Sequence, residues 1–188
     1  LADPWPTVEI VYKALQVAVG HGTVANISVP KDVFEKPCAQ SSRPRNILFP
    51  AHKEPQERGI KEVINLLNKN KKPIFLIGRG AQGKGELVEK LAERLGAGII
   101  YSLPAKGVIS SENKYLVGGL GLAGSPAATE LLEQSDCILI IGSTWWPERF
   151  VPKDIPIIQL DGVLENIGCK GPVVLGIEGC IAKTLSLL

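Results

Sequence analysis

Apolar residues recur at helical spacing over residues 7–19, where Val8, Val11, Tyr12, Leu15 and Val19 fall on one face. Gly20 and Gly22 supply the stop. Val24, Ile27 and Val29 then predict a short buried strand before Pro30 and Asp32 break it. A helix and a strand of this length cannot form a domain. Residues 37–57 contain Pro37, Pro44, Pro50 and Pro55 among polar neighbours, so the segment reads as an extended linker. Helical spacing resumes at Ile60, Val63, Ile64 and Leu67, and the lysine-rich run 69–72 reads as a solvated helix end.

From there the pattern alternates. Apolar strands are predicted over 74–77, 99–101, 137–141, 155–160 and 173–175, and helices over 87–95, 127–134 and 181–187. Near-continuous apolar strands between amphipathic helices predict a doubly wound α/β domain, a parallel sheet of about five or six strands covered on both faces. Gly78, Gly142 and Gly176 follow predicted strands and place flexible backbone at the carboxyl edge, where such sheets bind ligands.

Composition narrows the function classes. Twenty-one basic residues stand against 19 acidic ones, with no basic stripe on any predicted helix, so nucleic acid is not an expected partner. Cys38, Cys137, Cys169 and Cys180 form no C-x-x-C pair and have no nearby histidine, which points to a reduced, cytoplasmic protein rather than a zinc site. His21 and His52 are the only histidines and read as surface or turn residues. No stretch reaches the roughly 18 apolar residues of a membrane span, and the first segment lacks the order of a signal peptide. A start at Leu1 and the absence of methionine fit an internal piece of a longer protein.

Candidate chemistry sits in four stretches. Gly78-Arg79-Gly80-Ala81-Gln82-Gly83 fits G-x-G-x-x-G between a strand and a helix, and reads either as a phosphate cradle or as a tight turn that needs glycine. The second strand ends in Tyr101-Ser102-Leu103-Pro104 without an acid for a ribose, which disfavours an NAD site and a free-standing NAD-dependent oxidoreductase. The second stretch, residues 118–126, includes Leu120, Gly121, Leu122 and Ala123. It offers mainly backbone amides, which could hold an elongated cofactor or serve ordinary packing under a helix.

The third stretch, Ser143, Thr144, Trp145, Trp146 and Pro147, sets two of the three tryptophans at a strand's carboxyl end, as a stacking surface for a flat ring, a hydrophobic cap or a subunit interface. Finally, Asp161 follows Gln159-Leu160 and can accept hydrogen bonds from ribose hydroxyls or cap what comes next. No P-loop, nucleophile elbow, metal-ligand cluster or nucleophile and base pair is present, so no catalytic or metal-binding residue is assigned.

The order of these motifs resembles the central domain of thiamine-diphosphate-dependent enzymes, the pyruvate oxidase and acetolactate synthase family, over nearly the whole chain. Residues 24–33 resemble the end of that family's pyrimidine-binding domain. The resemblance therefore implies a tail of that domain over 1–36, a linker over 37–57 and the central domain over 58–188. Glycine loop, strand ending in Gly142, aromatic-Pro segment and Gln159-x-Asp161 are most similar to the flavin-dependent pyruvate oxidase pattern. After Asp161 the chain continues Gly162-Val163-Leu164-Glu165, where the family has another acid or Asn-Pro.

The resemblance implies FAD contacts at Leu120, Gly121, Leu122 and Ala123, at Ser143, Thr144, Trp145, Trp146 and Pro147, and at Asp161, with Gly78 and Gly80 near the pyrophosphate. It further implies a domain inactive alone, whose parent decarboxylates a 2-keto acid on thiamine diphosphate and magnesium bound outside this segment. Its partners would be flanking pyrimidine- and diphosphate-binding domains in a homo-oligomer. The alternative is a structural spacer with an empty or ADP-like pocket.

Overall fold

The computed structural model describes residues 1–37, 53–152 and 154–188. The chain divides into two compact units, Leu1–Ala51 and His52–Leu188. In the first, helix α1 spans Thr7–His21 and ends where Gly22 turns left-handed (φ 58°), its amide donating to the carbonyl of Ala18. No residue of α1 is buried. The strand expected over 23–29 does not form: the segment has no ladder partner and ends in a short 3-10 turn, Lys31–Val33. Residues 38–52 of the expected linker, with Cys38 and His52, lie outside the described residues; 53–56 are irregular and lead into α2.

The second unit is one six-stranded sheet. Its elements are α2 (Glu57–Lys69), β1 (Pro73–Ile77), α3 (Gly85–Leu95), β2 (Gly98–Tyr101), β3 (Leu116–Gly119), α4 (Pro126–Glu133), β4 (Cys137–Ile141), β5 (Ile157–Asp161), β6 (Leu175–Glu178) and α5 (Ile181–Leu187). Strand order is β3-β2-β1-β4-β5-β6, and every pair is parallel. Order reverses between β1 and β4, so the crevice beyond the carboxyl ends of these strands is the switch point at which open α/β sheets bind ligands.

Period-2 alternation assigns each strand's residues to two apolar layers. Phe75, Ile77, Ile99, Leu139, Ile141, Ile158 and Leu160 pack under α2, α3 and α5 through Val63, Val88, Leu91 and Leu185. Ile74, Leu76, Ile100, Ile138, Ile140 and Ile157 face the opposite way and meet Ala128 and Leu132 of α4, together with Trp146. β1, β4 and β5 are buried throughout, which is why β1 and β4 read as continuous apolar runs and β5 is broken only by Gln159 and Asp161. Each such aliphatic or aromatic side chain contributes roughly 1.5–3 kcal/mol on burial.

At the amino edge the Asp136 carboxylate accepts the amides of Lys71 and Lys72 (2.7 and 2.9 Å). The lysine run thus joins the entrance of β1 to that of β4 through its backbone. Pro126 opens α4 at the first helical position, where its missing N–H and fixed φ suit the turn.

Two strands differ from the pattern reading. β3 was hidden inside the glycine-rich stretch: it is a four-residue edge strand with no fully buried residue, and its pairing shifts register between Ile99 and Ile100. β6 starts at Leu175, not at Val173, and runs through Gly176. A side chain at Gly176 would lie 2.3 Å from Ile167 Cγ2, so this glycine admits the β5–β6 loop rather than stopping the strand.

Among the described residues no helix is long and apolar enough to cross a membrane. Cys137 is fully buried in β4, and burial pushes its thiol up to about 11. A neutral thiol held above its unfolded value stabilises the fold below pH ~9, and that contribution disappears as pH rises through ~11. Alkylation at pH 8 is expected to label exposed Cys169 and spare Cys137 until the domain unfolds, as peptide mapping will show.

Candidate functional site

Backbone approach builds the switch point. The amide of Gly78 donates to Ile141 O and that of Gly80 to Gly142 O, both at 2.9 Å. Gly142 sits at φ 61°, and a Cβ there would lie 2.6 Å from Gly80 Cα. A Cβ on Gly78 would lie 2.2 Å from Gly142 O and 2.4 Å from Ser143 Cα. These glycines let the β1 and β4 loops touch, and the amides of Gly78 and Gly80 are engaged by β4 carbonyls. The helix does not follow the motif directly: a 3-10 turn, Arg79–Ala81, precedes α3 at Gly85.

A cavity of about 760 Å³ lies beside this contact, between the β3–α4 loop and the β4–β5 loop. Leu120, Gly121, Leu122, Ala123, Trp145 and Pro147 line it, with Tyr101, Leu103, Lys106, Gly119, Gly124, Arg149 and Phe150. The β3–α4 loop is held by Leu120 N to Tyr101 O, Gly124 N to Gly121 O and Ser125 N to Gly119 O, each at 2.9 Å. A Cβ on Gly124 would lie 2.2 Å from Gly119 O, so the loop closes this tightly only with glycine. Among the described residues nothing accepts the amides of Gly121, Leu122 and Ala123.

Exposed apolar surface surrounds the opening: Leu122 is 87% exposed, Leu103 74% and Trp145 51%. Lys106 and Arg149 also line the cavity and are exposed, and among the described residues neither has a carboxylate partner. Arg149 stacks its guanidinium 4.8 Å from the ring centre of Phe150.

The two tryptophans separate. Trp146 is buried in the second apolar layer and acts as a hydrophobic cap, whereas Trp145 turns outward to the cavity. Ser143 is buried, its Oγ donating to Trp145 O at 2.9 Å, and exposed Thr144 accepts Cys169 Sγ through its carbonyl at 3.7 Å. Asp161 is buried at the carboxyl end of β5. Its Oδ1 accepts Val163 N (3.0 Å) and Asn166 Nδ2 (2.9 Å), so that oxygen closes its own loop.

The structure therefore gathers six of the twelve sequence-predicted residues around one cavity, while Gly78, Gly80, Ser143, Thr144, Trp146 and Asp161 do not line it. Tyr101, Lys106, Arg149 and Phe150 were missed. Arg149 and Phe150 continue the aromatic segment, but Tyr101 pairs with Gly119 of the short β3 that the pattern did not reveal, and Lys106 caps the 3-10 turn after β2. Among the described residues no group of three or more His, Cys, Asp or Glu is placed to hold a metal ion.

The sequence model described as "Thiamine pyrophosphate enzyme, central domain" matches residues 60–188. A Bacillus subtilis relative named "Putative thiamine pyrophosphate-containing protein YdaP" is 32% identical over 90% of this chain and 30% of its own length. An acetolactate synthase of Mycobacterium avium is 28% identical over 91% of this chain and 30% of its own. A solved Mycobacterium smegmatis structure, described as a "putative thiamin diphosphate-dependent enzyme", superposes with a TM-score of 0.74 at 19% identity, covering 99% of this chain and 37% of that one. The chain thus spans about a third of the length of the proteins it matches. It belongs to the thiamine pyrophosphate enzyme family, and residues 60–188 are that family's central domain.

Proposed function

We propose that this chain is the FAD-binding, non-catalytic central domain of a cytoplasmic thiamine-diphosphate-dependent 2-keto-acid decarboxylase or oxidase of the pyruvate oxidase type. The observation that carries the reading is the cavity beside the switch point. Its volume lies within the range of cofactor pockets, about 300–1,000 Å³. It combines an exposed indole with amides and two cations that have no partner among the described residues, which suit a flat ring, a polar chain and a diphosphate respectively. Trp145 and Pro147 would face the ring system, and Leu120, Gly121, Leu122 and Ala123 the chain. Lys106 and Arg149 would neutralise the diphosphate.

Gly78, Gly80, Ser143 and Asp161 serve this site by fixing the walls. A bound flavin would supply an electron acceptor for the parent's chemistry, and the protein would supply binding and orientation. Thiamine diphosphate and magnesium belong to the flanking domains of an oligomeric parent in this reading.

The test compares FAD with riboflavin by fluorescence titration at two salt concentrations. Lys106→Ala and Arg149→Ala are each expected to weaken FAD roughly fivefold at low salt and less at high salt, because exposed charge contacts are screened. Riboflavin, which lacks phosphate, should be indifferent to both. Equal loss for the two ligands would contradict the assignment of these cations. A spacer with an ADP-like pocket is the second reading, favoured by the engagement of the Gly78 and Gly80 amides and of Asp161 Oδ1 within the protein. It predicts ADP binding without FAD binding.

A further inference from the structure

We propose that Gln159 is a positioning residue that couples the β5–β6 loop to the Trp145 wall of the cavity; the proposal rests on the reading of that cavity as a ligand site. Gln159 is the one amide side chain in the centre of the sheet, at 0% exposure, on a strand whose other central residues are Ile157, Ile158 and Leu160. Burying an amide there costs free energy unless its polar atoms are hydrogen-bonded.

Its Nε2 donates to Ser143 O (3.2 Å) and to Asn166 O (2.9 Å), and its Oε1 accepts Gly168 N (2.9 Å). All three bonds leave its own strand. One reaches the loop after β4 and two reach the loop after β5. Ser143 passes the constraint on through Oγ to Trp145 O at 2.9 Å. Asn166 is in turn held by Asp161 Oδ1 at 2.9 Å. The buried amide thus ties together the loops that precede and follow its own strand, and through Ser143 it leads to the exposed indole of the cavity.

The distinction between donor and acceptor gives the test. Gln159→Glu keeps the shape but supplies at most one proton where the amide supplies two, so at least one of Ser143 O and Asn166 O loses its donor. Asn166→Ala loosens the same network from a half-exposed position outside the core, so it remains informative if the first variant does not fold.

In a Trp5→Phe background, which removes the other exposed indole, acrylamide quenching reads the accessibility of Trp145 without any ligand. Titrations with FAD and with ADP read the site. Gln159→Glu is expected to raise Trp145 quenching and weaken the bound nucleotide roughly tenfold, about the effect of one buried hydrogen bond. Asn166→Ala should act in the same direction with a smaller effect.

A folded variant with lower melting temperature but unchanged Trp145 quenching would overturn the proposal and leave Gln159 as a stability element. If wild-type protein takes ADP and not FAD, the cofactor assignment fails separately. If it takes neither nucleotide, the quenching arm alone decides whether Gln159 sets the wall.

Discussion

Replacing Gly78 with alanine is expected to destabilise the sheet domain by about 3 kcal/mol or more, read as a lower urea midpoint at unchanged slope. The added methyl would lie 2.2 Å from Gly142 O and 2.4 Å from Ser143 Cα, and both are backbone atoms that cannot rotate away. Relief requires the β1 and β4 loops to separate, which breaks the bonds from Gly78 N to Ile141 O and from Gly80 N to Gly142 O. Gly142→Ala should act similarly, since it adds strain at φ 61° to a 2.6 Å approach to Gly80 Cα. Gly171→Ala provides the contrast: nothing lies within 4 Å of its added methyl, so its midpoint should shift by no more than about 0.5 kcal/mol. Equal tolerance at positions 78 and 171 would show that loop contact does not hold the switch point.

The adjacent tryptophans should divide stability from binding. Trp146→Ala is expected to cost about 3–5 kcal/mol, because the indole is 3% exposed and packs with Ile138, Ile140 and Ile157 beneath the β4–β5 crossover. Trp145→Ala removes a side chain that is 51% exposed, so the urea midpoint should move little. Ligand affinity should instead fall roughly tenfold or more, as when an aromatic anchor leaves a pocket. Urea melts and FAD titrations on both variants separate the two outcomes. A stability loss at Trp145 matching that at Trp146 would mean that both indoles serve the core.

The α/β architecture was legible because β1, β4 and β5 are buried on both faces: β1 and β4 are unbroken apolar runs followed by glycine, and β5 is apolar apart from Gln159 and Asp161. Edge strands carry no such signature. β3 contains two glycines and no fully buried residue, and β6 buries only Ile177, so one was overlooked and the other misplaced. The site was half legible for the same reason. Glycine and tryptophan announce unusual backbone or surface, and the Gly121 and Trp145 regions do meet across the cavity.

Direction is not encoded in residue type. Trp145 and Trp146 have the same chemistry and opposite environments, one lining the cavity and the other packed in the core. Gly78 and Gly80 fit a phosphate-binding fingerprint, yet their amides are engaged by β4 carbonyls, and this could be learned only from the close approach of two loops distant in sequence. Lys106 and Arg149 are ordinary surface cations until the fold brings them to one cavity.

The most direct test of the central claim is an absorbance and melting measurement on the purified chain, before and after addition of FAD. The account predicts bound flavin after removal of free cofactor, and a melting temperature that climbs with FAD concentration as binding linkage requires. Trp145→Ala should shift that climb to roughly tenfold higher FAD concentration. A wild-type chain that stays colourless, with a melting temperature indifferent to FAD at every concentration, would contradict the assignment of the cavity to flavin.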